Sequence, residues 1–458
     1  MNTPDHASPD DIRGMFSAAM SAMYRKEVPA YGQLITLVAQ VNDRRLADDP
    51  ALRDRMQATG ELGRVSYERH GAIRLGTPAE LLMMRRLFAV MGMHPVGYYD
   101  LTEAGVPVHS TAFRPLTQSA LNANPFRVFT SLLRLDLVQD AALREVARQL
   151  LQNRRIFTDD CIALIERAEA QGGLSPADAA TFVQQALETF RWHADAPVDQ
   201  TMYRRLHDAH RLLADVVAFR GPHINHLTPR TLDIDAVQRM MPDHGIAPKA
   251  VVEGPPARRC PILLRQTSFK ALDEAVSFAG SPGQHTARFG EIEARGQALT
   301  PKGKALYDRL LTRARAMVTP KSDGSNAAEY ICALETNFAD FPDDADTIRL
   351  QGLGYCEFSV RPGMDTPPAP GSDAEALIAS GHLRAHPLTY EDFLPVSAAG
   401  IFQSNLGDEA AQDFAANPNR AAFEADLGAP THDEFALYQQ LQDASLARCM
   451  AQLGMAPA

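Results

Sequence analysis

A surplus of positive charge is missing from this chain. Lys and Arg total 45 against 56 Asp and Glu, for a formal net charge of −11 at pH 7. That balance argues against nucleic acid or an anionic membrane surface as a partner. It leaves room for a small anionic substrate, because one Arg can dominate the field of a small cavity. Cysteine is scarce too. Cys161, Cys260, Cys332, Cys356 and Cys449 are scattered, odd in number and lack a Cys-x-x-Cys pair. We expect reduced thiols in a cytoplasmic protein, not a disulfide framework. No apolar run reaches about 18 residues, so no membrane-spanning helix is expected. The opening Met1-Asn2-Thr3-Pro4-Asp5 lacks the basic-then-apolar pattern of a secretion signal.

What is present is a repeated word. Arg69-His70-Gly71-Ala72-Ile73-Arg74 has an echo in Asn225-His226-Leu227-Thr228-Pro229-Arg230, each with a His four residues before an Arg. Each reads as a short extended segment running into a helix start. Thr77-Pro78-Ala79-Glu80 offers a Thr cap, Pro at the first helical position and a Glu to close a capping box. Asp233 can cap the second helix. Both helices end near a Gly and then a Pro, and strand-like runs follow. In the first copy these are 96–99, 106–113 and 126–137; in the second, 250–252, 261–269 and 286–294. The matching order predicts two βαβββ modules, at about 61–140 and 220–300. An N-terminal helical cover over 1–60 (capped at Asp10 or Asp11), a helical insertion over 141–219 and a helical and loop region over 301–458 complete an α+β chain. Residues 319–370 read as loop-rich.

The spacing becomes chemical in Phe289-Gly290-Glu291-Ile292-Glu293-Ala294-Arg295. Two His, one per module, and a carboxylate from a last strand make a set that holds a divalent first-row metal on one face. Alternation along a strand puts Glu291 and Glu293 on the same side and cannot choose between them. His223 is a rival for His226, on the opposite face if the segment is extended; the echo favours His226. His207 and His210 share a helix face but lack an evident third ligand, so they read as ordinary histidines. Arg74 lies four residues past His70, on the same side and roughly 13 Å further along. Arg230, behind Pro229, reads as structural. Gln266, Ser268, Lys270 and His285 are candidates for orienting the ligands or lining the pocket.

The duplicated pattern resembles the vicinal oxygen chelate superfamily. Arg-His-Gly-Ala-Ile-Arg, His-Ile-Asn-His-Leu-Thr-Pro-Arg, Phe-Gly-Glu-Ile-Glu-Ala-Arg-Gly and Phe-Leu-Pro-Val-Ser-Ala-Ala-Gly-Ile-Phe are together similar to the 2-oxoadipate dioxygenase/decarboxylase, or hydroxyglutarate synthase, family, up to about residue 406. The resemblance implies a cupped mixed sheet around Fe(II) held by His70, His226 and Glu293. It also implies Arg74 on the distal carboxylate of 2-oxoadipate, and Val396 and Ser397 lining the pocket. The implied reaction joins 2-oxoadipate and O2 to give 2-hydroxyglutarate and CO2, in lysine catabolism, with no separate 2-oxoglutarate. Two further classes stay in view. One is another metalloenzyme of this fold, a ring-cleaving dioxygenase or a glyoxalase-type isomerase. The other is a module that only binds a small molecule.

Overall fold

The computed structural model describes residues 6–102, 105–269, 272–321, 324–364, 367–394 and 419–455. Lys270, Val396 and Ser397 therefore lie outside the described residues. Its strands are β1 (Arg69–Leu75), β2 (His94–Asp100), β3 (Val108–Arg114), β4 (Arg127–Leu133), β5 (Asp195–Ala196), β6 (Leu227–Pro229), β7 (Leu264–Ser268), β8 (Leu272–Phe278), β9 (Ser281–Arg288), β10 (Glu291–Arg295), β11 (Cys356–Val360) and β12 (Leu383–Pro387).

The first module has the expected strand, helix, strand, strand, strand, with a short unexpected helix, Gln118–Ala123, between its last two strands. β1 enters the helix Pro78–Val90 through a complete capping box between Thr77 and Glu80, which satisfies backbone N–H groups at both positions. β2, β3 and β4 follow, and the sheet order is β2-β3-β4-β1-β6. β1 runs parallel to β4 and antiparallel to β6, with His70 opposite Arg127 on one side and Thr228 on the other. Alternation divides the two faces. Ile73, Leu75, Val128 and Leu132 pack beneath the helices of one core. Ala72, Val108, Ala112 and Phe129 point into the other core, and His70 and Arg74 share that face.

The second module departs further: after the helix Ile234–Met240 come four strands, β7 to β10, of which β8 was not expected. β6 has three residues and ends at Pro229, whose missing N–H limits the ladder. The 250–252 run is no strand; its flanks make only isolated bridges, Pro248 to Phe269 and Glu253 to Gln266. The expected 286–294 strand is two strands: β9, in a hairpin with β8, and β10, paired with β7. Phe289 and Gly290 separate them. An ideal Cβ on Gly290 would lie 1.9 Å from Phe269 Cε1. Gly290→Ala is accordingly expected to cost about 1–3 kcal/mol through overpacking, read as a lower urea midpoint at unchanged slope. The pairing of β6 with β1 joins the two modules, and Arg230, just after β6, bridges in parallel to Glu293 of β10.

The N-terminal helices Pro9–Glu27, Pro29–Asp48 and Pro50–Ala58 form the expected cover, although Ser8, not Asp10 or Asp11, caps the first. Helices fill the insertion from Ala141 to Val217. The 319–370 stretch is more ordered than its sequence suggests, with helices Ala327–Phe338 and Ala345–Leu350. All five cysteines are free. No helix among the described residues is long and apolar enough to cross a membrane.

The C-terminal helix Glu434–Gln452 docks through buried charge. Arg114 grips Asp392 at 2.6 and 2.9 Å, and the Tyr438 hydroxyl donates to Asp392 at 2.5 Å. Desolvation, reinforced by Asp392, pushes Glu434 up to about 8 from an ordinary 4.5. A raised carboxyl pKa favours the protonated folded state, so its contribution is full below about 4.5 and is lost as pH rises through 8. Glu434→Gln should therefore lose less melting temperature than the parent between pH 5 and pH 9; an identical loss in both would count against this assignment.

Candidate metal centre

Three adjacent segments build the centre. β1 supplies His70, the residue two before Thr228 in the β6 segment is His226, and β10 opens with Glu291. His70 pairs with Thr228 in the ladder, and alternation puts His226 and Thr228 on one side of the chain. The three side chains thus converge. One donor atom each from His70, His226 and Glu291 lies within 4.8 Å of the others, all buried, the one such set among the described residues. His207 and His210 belong to no such set; His210 Nε2 instead lies 3.0 Å from the Gly105 carbonyl.

Glu293, expected as the third ligand, lies on the other side of His70 and outside the three-residue set. Arg295 takes both of its oxygens, at 2.9 and 2.8 Å. Its Oε2 also lies 2.9 Å from His70 Nδ1. Glu291 meets the other side of the same imidazole, 3.1 Å from Nε2. The two carboxylates do share a face, and they straddle His70. A two-pronged Arg pair occupies Glu293, so Glu291 is the carboxylate gathered with both histidines.

The donor set fits a divalent ion. Gln266 Nε2 and Thr228 Oγ1 donate to Glu291 Oε1 at 2.7 and 3.2 Å. Glu291 Oε2 is buried without a hydrogen-bond partner among the described residues, 4.0 Å from His226 Nε2. A buried carboxylate oxygen left bare costs free energy unless something cationic meets it. Burial pushes His226 down to about 4, which keeps the imidazole neutral and its lone pair available. Burial also opposes charge on His70, but Glu293 and Glu291 outweigh it and raise its pKa. Burial opposes charge on Glu291 too, and His226 and His70 more than offset it, so its pKa falls. Phe393 meets His70 edge-on at 5.0 Å, and Phe289 lies 4.9 Å from the His226 ring. These rings wall off water.

Behind the centre lies a buried charge network that the sequence did not disclose. Arg230 bonds Glu61 and Glu68 at 2.8 and 3.1 Å, a structural role as expected. Arg64 bonds Glu391 at 2.6 Å, and Arg127 contacts both Glu68 and Glu391. On the other side, Arg74 Nη1 donates to Asp215 Oδ2 at 2.5 Å. Asp215 also faces His285 Nε2 at 3.0 Å and His223 Nε2 at 3.6 Å. His223 is therefore drawn away from the centre, to Asp215 and the edge of Trp192, 4.7 Å away. Gln266 and His285 both support site residues directly. Ser268, opposite Glu291 in the ladder, is buried without a hydrogen-bond partner among the described residues. Asp215 went unnoticed in the sequence; the signal was a lone acid in Leu212-Leu213-Ala214-Asp215-Val216-Val217.

Fold and site together define a class: a duplicated α+β cup with one candidate mononuclear metal centre of two His and a carboxylate. The 2-oxoadipate dioxygenase/decarboxylase family model matches residues 16–405. A relative of that name from Pseudomonas putida is 56% identical, covering 99% of each chain. Another, from Escherichia coli, is 55% identical over 96% of this chain and 98% of its own. The crystal structure of hydroxyglutarate synthase from Pseudomonas putida in complex with 2-oxoadipate superposes with a TM-score of 0.92 at 55% identity, covering 98% of this chain and all of that one (100%). The chain belongs to the 2-oxoadipate dioxygenase/decarboxylase family, and the resemblance read from its sequence is borne out.

Proposed function

We infer that this chain is an Fe(II)-dependent 2-oxoadipate dioxygenase/decarboxylase. It joins 2-oxoadipate and O2 to give 2-hydroxyglutarate and CO2, serves lysine catabolism and works in the cytoplasm, where its five free cysteines stay reduced. The observation that carries the reading is the buried His70, His226 and Glu291 set with its bare Glu291 oxygen, in a member of this family.

His70, His226 and Glu291 would hold the metal. When bound, the ion would supply a Lewis-acidic site for the 2-oxo carboxylate group and for dioxygen. Glu293 orients the His70 ring from its Nδ1 side. Gln266 and Thr228 hold one oxygen of Glu291 and leave the other without a hydrogen-bond partner among the described residues. Arg74 shares the inner face with His70, and Ala72 between them carries only a methyl group. A six-carbon diacid spans that interval, its distal carboxylate meeting the Arg74 guanidinium. Phe393 and Phe289 keep water from the reacting end.

The test loads the protein with Fe(II) anaerobically, adds 2-oxoadipate and O2, and measures oxygen uptake, CO2 and 2-hydroxyglutarate. Equal molar amounts of all three are expected. Binding of 2-oxoadipate with no oxygen uptake would contradict the reading. A narrower check is Ala72→Leu, which should raise KM for 2-oxoadipate at least tenfold while iron content stays at one per chain.

A further inference from the structure

The helical insertion delivers a buried charge to Arg74. Asp215 is 4% exposed, on the helix Arg211–Val217, among buried Leu212, Leu213, Val216 and Val217. A lone carboxylate in such surroundings is costly unless its partners compensate it. It has two. Oδ2 accepts from Arg74 on β1 at 2.5 Å. Oδ1 lies 3.0 Å from His285 Nε2 on β9, whereas His223 Nε2, 3.6 Å away, is taken by the Asn225 amide at 3.1 Å. The chain continues outward, because His285 Nδ1 lies 2.8 Å from the Tyr203 hydroxyl, on the helix Gln200–Ala209. One carboxylate therefore ties the first module, the insertion and the second module together at the residue that meets the far end of the substrate.

An Arg side chain is long and has many rotamers to lose. Left unpinned, it could follow carboxylates of several chain lengths. Held through Nη1 by a carboxylate that is itself clamped by His285, the guanidinium sits at one distance from the metal centre. We propose that Asp215 is a positioning and specificity-determining residue: its grip on Arg74 fixes where the distal carboxylate must lie, and so selects the length of the 2-oxo diacid. This rests on the reading above, in which Arg74 receives that carboxylate.

The experiment compares Asp215→Asn, His285→Gln and Arg74→Ala with the parent, as iron-loaded full-length proteins. Steady-state kinetics are measured with the five-, six- and seven-carbon 2-oxo diacids, and binding of each diacid by calorimetry under argon. For Asp215→Asn we expect KM and Kd for the six-carbon acid to rise at least tenfold. We expect kcat to change by less than about threefold, and the preference for six over five carbons to fall at least tenfold. His285→Gln, which keeps both Asp215 and Arg74, should shift the same ratio by about threefold, and it decides the matter if Asp215→Asn does not fold. A preference unchanged in the folded variants, or an equal loss across all three lengths, overturns the proposal. If Arg74→Ala weakens six-carbon binding but the other two variants leave it intact, only this inference fails. If Arg74→Ala leaves binding intact, the Arg74 reading fails with it.

Discussion

Glu291→Ala should yield protein without stoichiometric iron and with activity reduced at least 1000-fold, whereas Glu293→Gln should keep its iron. The asymmetry follows from what each carboxylate already does. Glu291 leaves Oε2 bare, among the described residues, beside His226 and His70, so its removal would delete one of the three proposed ligands. Glu293 is held by Arg295 through both oxygens and, among the described residues, faces the centre across His70 Nδ1. Partners that act through a ligating histidine typically contribute 10–100-fold in metal affinity or activity. Glu293→Gln should fall in that range, with iron still bound at saturating concentration. Metal analysis after desalting, beside turnover, separates the two variants. Iron lost from Glu293→Gln and kept by Glu291→Ala would reverse the assignment. His70→Ala should lose iron and activity together.

Arg74→Ala carries the second large effect, and it has two parts. Loss of a charge-assisted pair to the substrate carboxylate is worth about 1.5–3 kcal/mol, so KM for 2-oxoadipate should rise about 10–100-fold with iron content intact. The same change strands Asp215. Its carboxylate is held below the ordinary range against its own desolvation, with Arg74 as the leading favourable influence. Removing one partner of a buried pair typically costs about 3–5 kcal/mol, so Arg74→Ala should also unfold at lower denaturant. Adding Asp215→Asn should recover part of that stability and none of the substrate affinity. A double variant no more stable than Arg74→Ala would show that the pair is not what Asp215 depends on.

The first module was legible because local signals agree there. Thr77 and Glu80 form the capping box their spacing suggests, and the seven residues of β1 are all buried. The second module was less legible because its strands depend on distant partners. Nothing within 286–294 announces that the Phe269 ring occupies the space beside Gly290, yet that contact accompanies the break between β9 and β10. In 319–370 the Pro- and Gly-rich loops masked a helical spacing; Tyr330, Ala333, Leu334, Asn337 and Phe338 are buried along one side of a helix.

At the centre, the echo of His-x-x-x-Arg found both histidines, since equivalent strands of a duplicated cup put equivalent residues inside. It could not separate Glu291 from Glu293, because a period of two gives both the same face. Arg295 and the two sides of the His70 ring, which are tertiary facts, favour Glu291 as the proposed ligand. Asp215 escaped for the same reason. Its partners are 141 and 70 residues away in sequence, and only folding brings them together.

Anomalous diffraction at the iron edge from crystals of the Fe(II)-loaded protein tests the central claim most directly. One peak about 2 Å from a nitrogen of His70, a nitrogen of His226 and Oε2 of Glu291, with Glu293 still on Arg295, is the predicted result. A peak ligated by Glu293 in place of Glu291, or iron bound away from both histidines, would contradict it.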